Sequence, residues 1–244
     1  MSSRGASSTA PRRLRAHEGR GGAVRSEGAG MLRIAVLVGS PRKNGACARF
    51  AAELEDALRG AGAVAELLFL CDYEVLGCVG CGACERTGAC VLDAREGAGV
   101  RPGFARLLKR LQAADALALV APVYFSGPPS QLKAVLDRMQ PLWCQRYLLG
   151  QRPVRPLECR HPLDLFVVGV GGDPFGYDAL VSCARSSLRM ADFELHAMHD
   201  LVGFGQAPRP GCAYWPDFDA ALLSNLSTWA SGLVHAARAA HDLR

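Results

Sequence analysis

Two hydrophobic periods alternate along the chain from Leu32 onward. LRIAVLVG (Leu32 to Gly39) is a short apolar run closed by glycine, and Phe50, Ala51, Leu54, Ala57 and Leu58 then recur at helical spacing, which predicts strand, loop, helix. VAELLFL (Val64 to Leu70) predicts a second strand. Phe104, Leu107, Leu108 and Leu111 predict a second helix, ALALVA (Ala116 to Ala121) a third strand, and Leu132, Val135, Leu136 and Met139 a third helix ending before Pro141. LDLFVVGVGG (Leu163 to Gly172) follows as a fourth strand, then a helix near Tyr177 to Met190 and a fifth strand near Phe193 to Met198. Phe218, Leu222, Leu226, Trp229 and Leu233 mark a last helix.

Strands alternating with helices require crossovers, and right-handed crossovers place helices on both faces of a parallel sheet. The expected fold is α/β, a doubly wound five-stranded parallel sheet in one domain over residues 31–244, with a cysteine-bearing insertion at 71–100. Residues 141–162, rich in Pro and Arg, are expected as a second insertion at the surface. Residues 1–30 carry no period and are rich in Gly, Ser and Arg, which predicts a disordered tail. Met31 stands directly before the first strand and is read as a candidate true start.

Composition narrows the function. Half of the 244 residues are apolar and 21% are charged, enough to bury a sizeable core. The net charge is +5, but residues 1–30 hold six Arg against two Glu, leaving the body at +1. A nearly neutral body lacks the footprint of a nucleic-acid binder. No apolar run reaches the roughly 18 residues of a membrane span, and no secretory signal is evident, so the expected location is cytoplasmic with no membrane partner.

In open sheets of this kind ligands bind beyond the carboxyl ends of the strands, where strand order reverses. After the first strand comes GSPRKNGA (Gly39 to Ala46), leading straight into a helix. Ser40 and Asn44 offer hydrogen bonds, Arg42 and Lys43 charge, and the helix start free N–H groups; together they describe a nest for a phosphate. The segment is neither a Walker loop nor a GxGxxG fingerprint. A polar loop that only caps a helix fits equally well. After the third strand, PVYFSGPPSQLKAVLDR (Pro122 to Arg138) brings Tyr124 and Phe125 to the switch point, where they either meet a flat ring or join the core. Gly171 and Gly172, after the fourth strand, permit close backbone approach.

GCVGCGACERTGAC (Gly77 to Cys90) holds four cysteines as CxxCxxCx5C. Two-residue gaps let successive thiolates reach neighbouring irons of one cubane, so Cys78, Cys81, Cys84 and Cys90 are candidate ligands of a 4Fe-4S cluster. Zinc sites more often divide their ligands into two separated pairs, and disulfides are disfavoured in a reducing compartment. Both readings stay open. Cys47, Cys71, Cys144, Cys159, Cys183 and Cys212 are scattered and read as plain thiols, with Cys71 as the one substitute ligand. His196 and His199 would face opposite sides of a regular strand.

GSPRKNG before a helix, then GCVGCGACERTGACVLD, then APVYFSGPPSQLKAVLDR resemble the flavodoxin-like NADPH-dependent FMN reductases, in particular their iron-sulfur flavoprotein branch. The match runs by motif over residues 32 to about 140 and by layout thereafter. The resemblance implies a flavodoxin-like fold and FMN, with its phosphate at Ser40, Arg42, Asn44 and the amides of Gly45 and Ala46. It places the isoalloxazine on Pro122, Val123, Tyr124, Phe125 and Ser126, with Gly171 and Gly172 closing one side. Many relatives carry Ser or Thr where Ala46 and Cys47 stand here, so one hydroxyl contact is expected to be absent. The resemblance supports the same four cluster ligands and implies a homodimer or homotetramer, with the cluster of one subunit near the flavin of another. The expected activity is oxidoreduction, passing electrons between cluster and FMN, with a ferredoxin-type or small-molecule donor or acceptor, NAD(P)H among them. An NAD(P)H-dependent FMN or quinone reductase without a cluster, and a redox-sensing cluster protein, are the alternatives.

Overall fold

Continuous apolar runs, buried on both faces of the sheet, decide the architecture. In a computed structural model, which describes residues 31–96, 100–169, 171, 173–202 and 220–243, five parallel strands form one sheet. They are β1 (Arg33–Val38), β2 (Val64–Phe69), β3 (Ala116–Pro122), β4 (His161–Gly169) and β5 (Phe193–Val202), in the order β2-β1-β3-β4-β5. Successive side chains point to opposite faces, so Ile34, Val36, Ala118, Val120, Phe166 and Val168 face one helical layer. Ala35, Leu37, Leu117, Leu119, Leu165 and Val167 face the other. The central strand β3 is buried along its whole length, as a strand covered on both faces must be.

Helices α1 (Ala46–Gly60) and α7 (Ala220–Asp242) cover the first face through Phe50, Leu54, Leu58, Leu226, Leu233 and Ala237. Helices α3 (Phe104–Gln112), α4 (Ser130–Asp137) and α6 (Asp178–Leu188) cover the second through Leu107, Leu111, Leu132, Val135, Leu180 and Leu188. The topology is the expected doubly wound one, with the switch point between β1 and β3, where α1 and α4 leave towards opposite faces. Among the described residues no helix is long and apolar enough to cross a membrane. The expectations for residues 1–30, Gly172, Cys212 and Phe218 lie outside the described residues.

Two local expectations are overturned. The stretch after Pro141 is not a surface insertion throughout: α5 (Gln140–Tyr147) buries Leu142, Cys144 and Arg146. Pro141 begins this helix rather than closing the previous one, because proline lacks only an N–H that the first turn leaves unbonded anyway. β5 also runs four residues further than expected and carries a bulge, since Leu163 pairs with Leu195 but Asp164 with Ala197. The extra residue is His196, and it shifts the alternation by one. His196 and His199 therefore meet the same buried carboxylate, Asp164, at 2.8 and 3.0 Å, instead of facing apart. The His199 ring stacks on Phe166 with centroids 4.4 Å apart.

Candidate functional site

The loops after β1, β3 and β4 open on neighbouring strands at the carboxyl rim. Gly39 N–H donates to Val120 O at 2.9 Å, tying the end of β1 to β3. Ser40 is buried and its hydroxyl oxygen accepts from Arg42 N–H at 3.2 Å, a turn that holds the loop in shape. Arg42 and Asn44 stay exposed, whereas Lys43 pairs with Asp72 beyond β2, a contact that raises the Lys43 pKa. Gly45 caps α1 in an extended conformation; no side chain caps this helix and its first turn has no acidic residue. Its positive end thus faces the loop unneutralised by its own residues, the condition under which a helix start receives an anion. Cys47, the second residue of α1, is pushed up to about 12 by burial and is chemically quiet.

After β3 the chain makes a two-residue hairpin turn. Tyr124 and Gly127 exchange backbone hydrogen bonds of 2.9 and 3.0 Å, and the residues between them, Phe125 and Ser126, have φ of 48° and 63°. Such a turn favours Asn-Gly; here two ordinary side chains occupy the left-handed region, at about 1–2 kcal/mol each. Ser126 hydroxyl donates to Phe175 O at 3.2 Å and Ser126 O accepts from Leu180 N–H at 3.1 Å, so the loop after β4 holds the turn. Phe125 is 101% exposed and Tyr124 38% exposed, so the aromatics do not complete the core. Strain of this kind persists where a site requires it. Gly171, with φ of 84°, stands exposed in the loop after β4.

The cysteine segment folds around glycines. Gly80, Gly82 and Gly88 have φ of 64°, 69° and 72°, and the last two bracket the single turn α2 (Ala83–Thr87). All four predicted cysteines line one cavity of about 650 Å³, together with Arg138, Met139, Trp143, Tyr147 and Met190. Cys78 and Cys81 are exposed, Cys84 and Cys90 half-buried. Among the described residues no three His, Cys, Asp or Glu side chains are grouped to hold a single metal ion. Four thiols lining one cavity on a glycine-rich chain are a donor set that fits a multi-iron sulfide core better than a single ion. Cys71 is not among the cavity's lining residues; it sits beside Lys43 and Asp72. Burial first, then the neighbouring Cys144 thiol of α5, pushes Cys84 up to about 11.

Sequence reading missed the group that closes the segment. The Arg138 side chain is fully buried and ion-paired to both Glu96 and Asp93, while donating to Leu76 O at 3.0 Å. Glu96 in turn accepts from Leu76 N–H at 2.7 Å and Phe104 N–H at 2.8 Å. Leu76 precedes Cys78 and Asp93 follows Cys90, so one guanidinium fastens both ends of the cysteine loop. The Phe104 ring lies under it at 4.8 Å. Burial disfavours the charged guanidinium, but Glu96, with Cys90 and Asp93, outweighs this and the Arg138 pKa is raised. No sequence signal joins Arg138 to an acid more than forty residues away.

The cysteine segment leaves β2 at the carboxyl rim but does not stay there. Its cavity is walled by Leu136 to Pro141 and by Ser186 to Met190, at the carboxyl ends of α4 and α6, which run back from the rim. α4 therefore begins at the aromatic turn and ends at the thiols. Its eight residues span ~12 Å.

The model of the NADPH-dependent FMN reductase family matches residues 32–208. The chain belongs to this family. An iron-sulfur flavoprotein of Methanocaldococcus jannaschii is 32% identical over 112 residues, covering 46% of this chain and 53% of that protein. An iron-sulfur flavoprotein of Methanosarcina thermophila is 31% identical over 107 residues, covering 44% and 52% respectively. The chain spans about half the length of the curated relatives it matches. An NAD(P)H:quinone oxidoreductase from Methanothermobacter marburgensis superposes with a TM-score of 0.53 at 18% identity, covering 88% of this chain and 100% of that one. FerB, a flavoenzyme NAD(P)H:acceptor oxidoreductase from Paracoccus denitrificans, gives 0.52 at 18%, covering 85% and 98%. At that identity both report the flavodoxin-like fold.

Proposed function

We propose that the chain is a flavin-dependent oxidoreductase that holds FMN at the carboxyl rim and a 4Fe-4S cluster in the cysteine cavity. Ser40, Arg42, Asn44 and the amides of Gly45 and Ala46 receive the phosphate. Pro122, Val123, Tyr124, Phe125 and Ser126 lie against the ring, with Gly171 and Gly172 at its side. Cys78, Cys81, Cys84 and Cys90 ligate iron. When bound, FMN exchanges two electrons with a donor or acceptor and the cluster exchanges one at a time, so the pair connects a two-electron reagent such as NAD(P)H to a one-electron partner of ferredoxin type.

The observation that carries this reading is the convergence of the four motif cysteines on one cavity at the far end of the helix that starts from the strained aromatic turn. The chain's own residues supply position: Arg138 fixes the cysteine loop, and Ser126 fixes the turn. The names of the curated relatives support the cluster, and the family supports FMN. Anaerobic purification of the full chain tests it. Iron and acid-labile sulfide in equal amounts, with FMN, are expected; Cys84→Ala is expected to lose the iron and keep the FMN. A yellow protein holding zinc or no metal would instead indicate a reductase without a cluster.

A further inference from the structure

We infer that the face formed by the outer side of α6 and the start of β5, centred on Arg185 and Arg189, docks an acidic one-electron carrier protein beside the cysteine cavity. The inference rests on the cluster reading above and names where that partner binds. Ser182, Arg185 and Ser186 on α6 and Arg189 just past its end recur at steps of three and four residues, so they share one side of the helix. Leu180, Ala184 and Leu188 are buried on the other side. The stripe borders a hollow of about 390 Å³ that includes Glu194. Tyr147, Ser186 and Met190 line both this hollow and the cysteine cavity, so the two openings are neighbours.

Charge decides what the face receives. Glu194 is shared by Arg160 at 2.5 Å and Arg189 at 3.4 Å, and Asp192 by Arg146 and Arg152. Arg185 is exposed, and among the described residues it pairs with no carboxylate. Five arginines thus answer two carboxylates, an excess of three positive charges in one corner of a body whose net charge is +1. The excess is constant, because a guanidinium keeps its proton. Arg185 and Arg189, whose side chain is 52% exposed, stand in solvent, and no buried contact sets them as a cradle for one small anion. What they supply is a field, which steers and orients a surface of opposite charge. Ser182 and Ser186 are small enough to let such a surface come close, and closeness to the thiols is what electron transfer requires. In the step served, the carrier's reduced iron-sulfur centre gives up one electron and is oxidised. The centre held by Cys78, Cys81, Cys84 and Cys90 takes that electron and is reduced; no bond forms or breaks and no proton moves.

The test uses the full chain reconstituted anaerobically with ferrous iron and sulfide, and a reduced acidic two-iron ferredoxin as the carrier. Stopped-flow absorbance should show a reduction rate that falls as salt is raised. Arg185→Glu is expected to slow it roughly tenfold at low salt, Arg185→Gln by less, and both to flatten the salt dependence. Reduction by the methyl viologen radical, a small cation that needs no docking face, is expected not to slow. A ferredoxin rate indifferent to salt and to both substitutions overturns the inference, as does an Arg185→Glu chain that slows with both reductants alike. Should Arg185→Glu dissociate an oligomer in sedimentation, the face belongs to a second copy of the chain and the inference is overturned too. Titration calorimetry of oxidised ferredoxin into the iron-free chain separates the docking face from the cluster reading, and Arg185→Glu is expected to weaken the binding it finds. Binding that the substitution leaves unchanged overturns the docking face, whereas a wild-type chain that binds through Arg185 but takes up no iron overturns the cluster reading instead.

Discussion

Arg138 is the residue on which the cysteine segment depends most. Removing a guanidinium that is buried against Glu96 leaves an uncompensated carboxylate, and such losses cost ~3–5 kcal/mol. Arg138→Met should therefore lower stability by about that amount in urea denaturation, and Arg138→Met with Glu96→Gln should recover much of it, because no buried charge then stands alone. Equal losses in the single and double variants would mean that the ion pair is not what closes the loop. Phe125 makes the opposite case. Fully exposed on a strained turn, it contributes little to the core. Phe125→Ala should leave the thermal midpoint within a few degrees of wild type. If the ring stacks on the flavin, worth ~0.5–1.5 kcal/mol, fluorescence titration should find FMN binding weakened roughly two- to tenfold.

Among the elements, α5 has the largest consequence for the site and was the least legible. Short apolar runs announced the strands and a period of three to four the long helices, because burial imposes those patterns directly. A helix opened by Pro141 and buried through Leu142, Cys144 and Arg146 shows no such stripe. Its position depends instead on Asp192, a residue in the left-handed conformation at the start of β5 that pairs with Arg146 and Arg152. Burial would raise the Asp192 pKa, but Arg152 and then Arg146 hold it below the ordinary carboxylate range. A folded-state value under the unfolded value of about 3.9 contributes stability above that pH, lost as pH falls through the folded value. Urea midpoints should thus fall on acidification below about pH 4, and Asp192→Asn should be less stable at neutral pH with a flatter acid limb. An acid limb unchanged by the substitution would assign it to other carboxylates. The bulge at His196 was equally hidden: one inserted residue reverses side-chain alternation, and only pairing with β4 reveals it.

For the molecule as a whole, sequence spacing made the four-cysteine segment legible because its pattern is local. It did not reveal what walls the cysteine cavity, since α4, α5 and α6 come together only through the sheet. Nor did it reveal that the segment leaves the rim, so that the two candidate cofactor sites lie at opposite ends of α4. Around the cavity, Val79, Val91, Trp143, Tyr147 and Leu148 expose apolar surface. A patch of that kind is a candidate association face for the homodimer or homotetramer that the family resemblance implies. Sedimentation should find an oligomer that Leu148→Glu weakens; a monomer at all concentrations would remove this arrangement.

The central claim is that the cavity lined by Cys78, Cys81, Cys84 and Cys90 holds a cubane. Low-temperature EPR of the anaerobically reduced full chain tests it most directly. A reduced 4Fe-4S signal, present in wild type and absent after substitution of Cys84 by Ala, is the predicted result. A signal that survives that substitution, or a wild-type chain that carries zinc and stays EPR-silent, would contradict it.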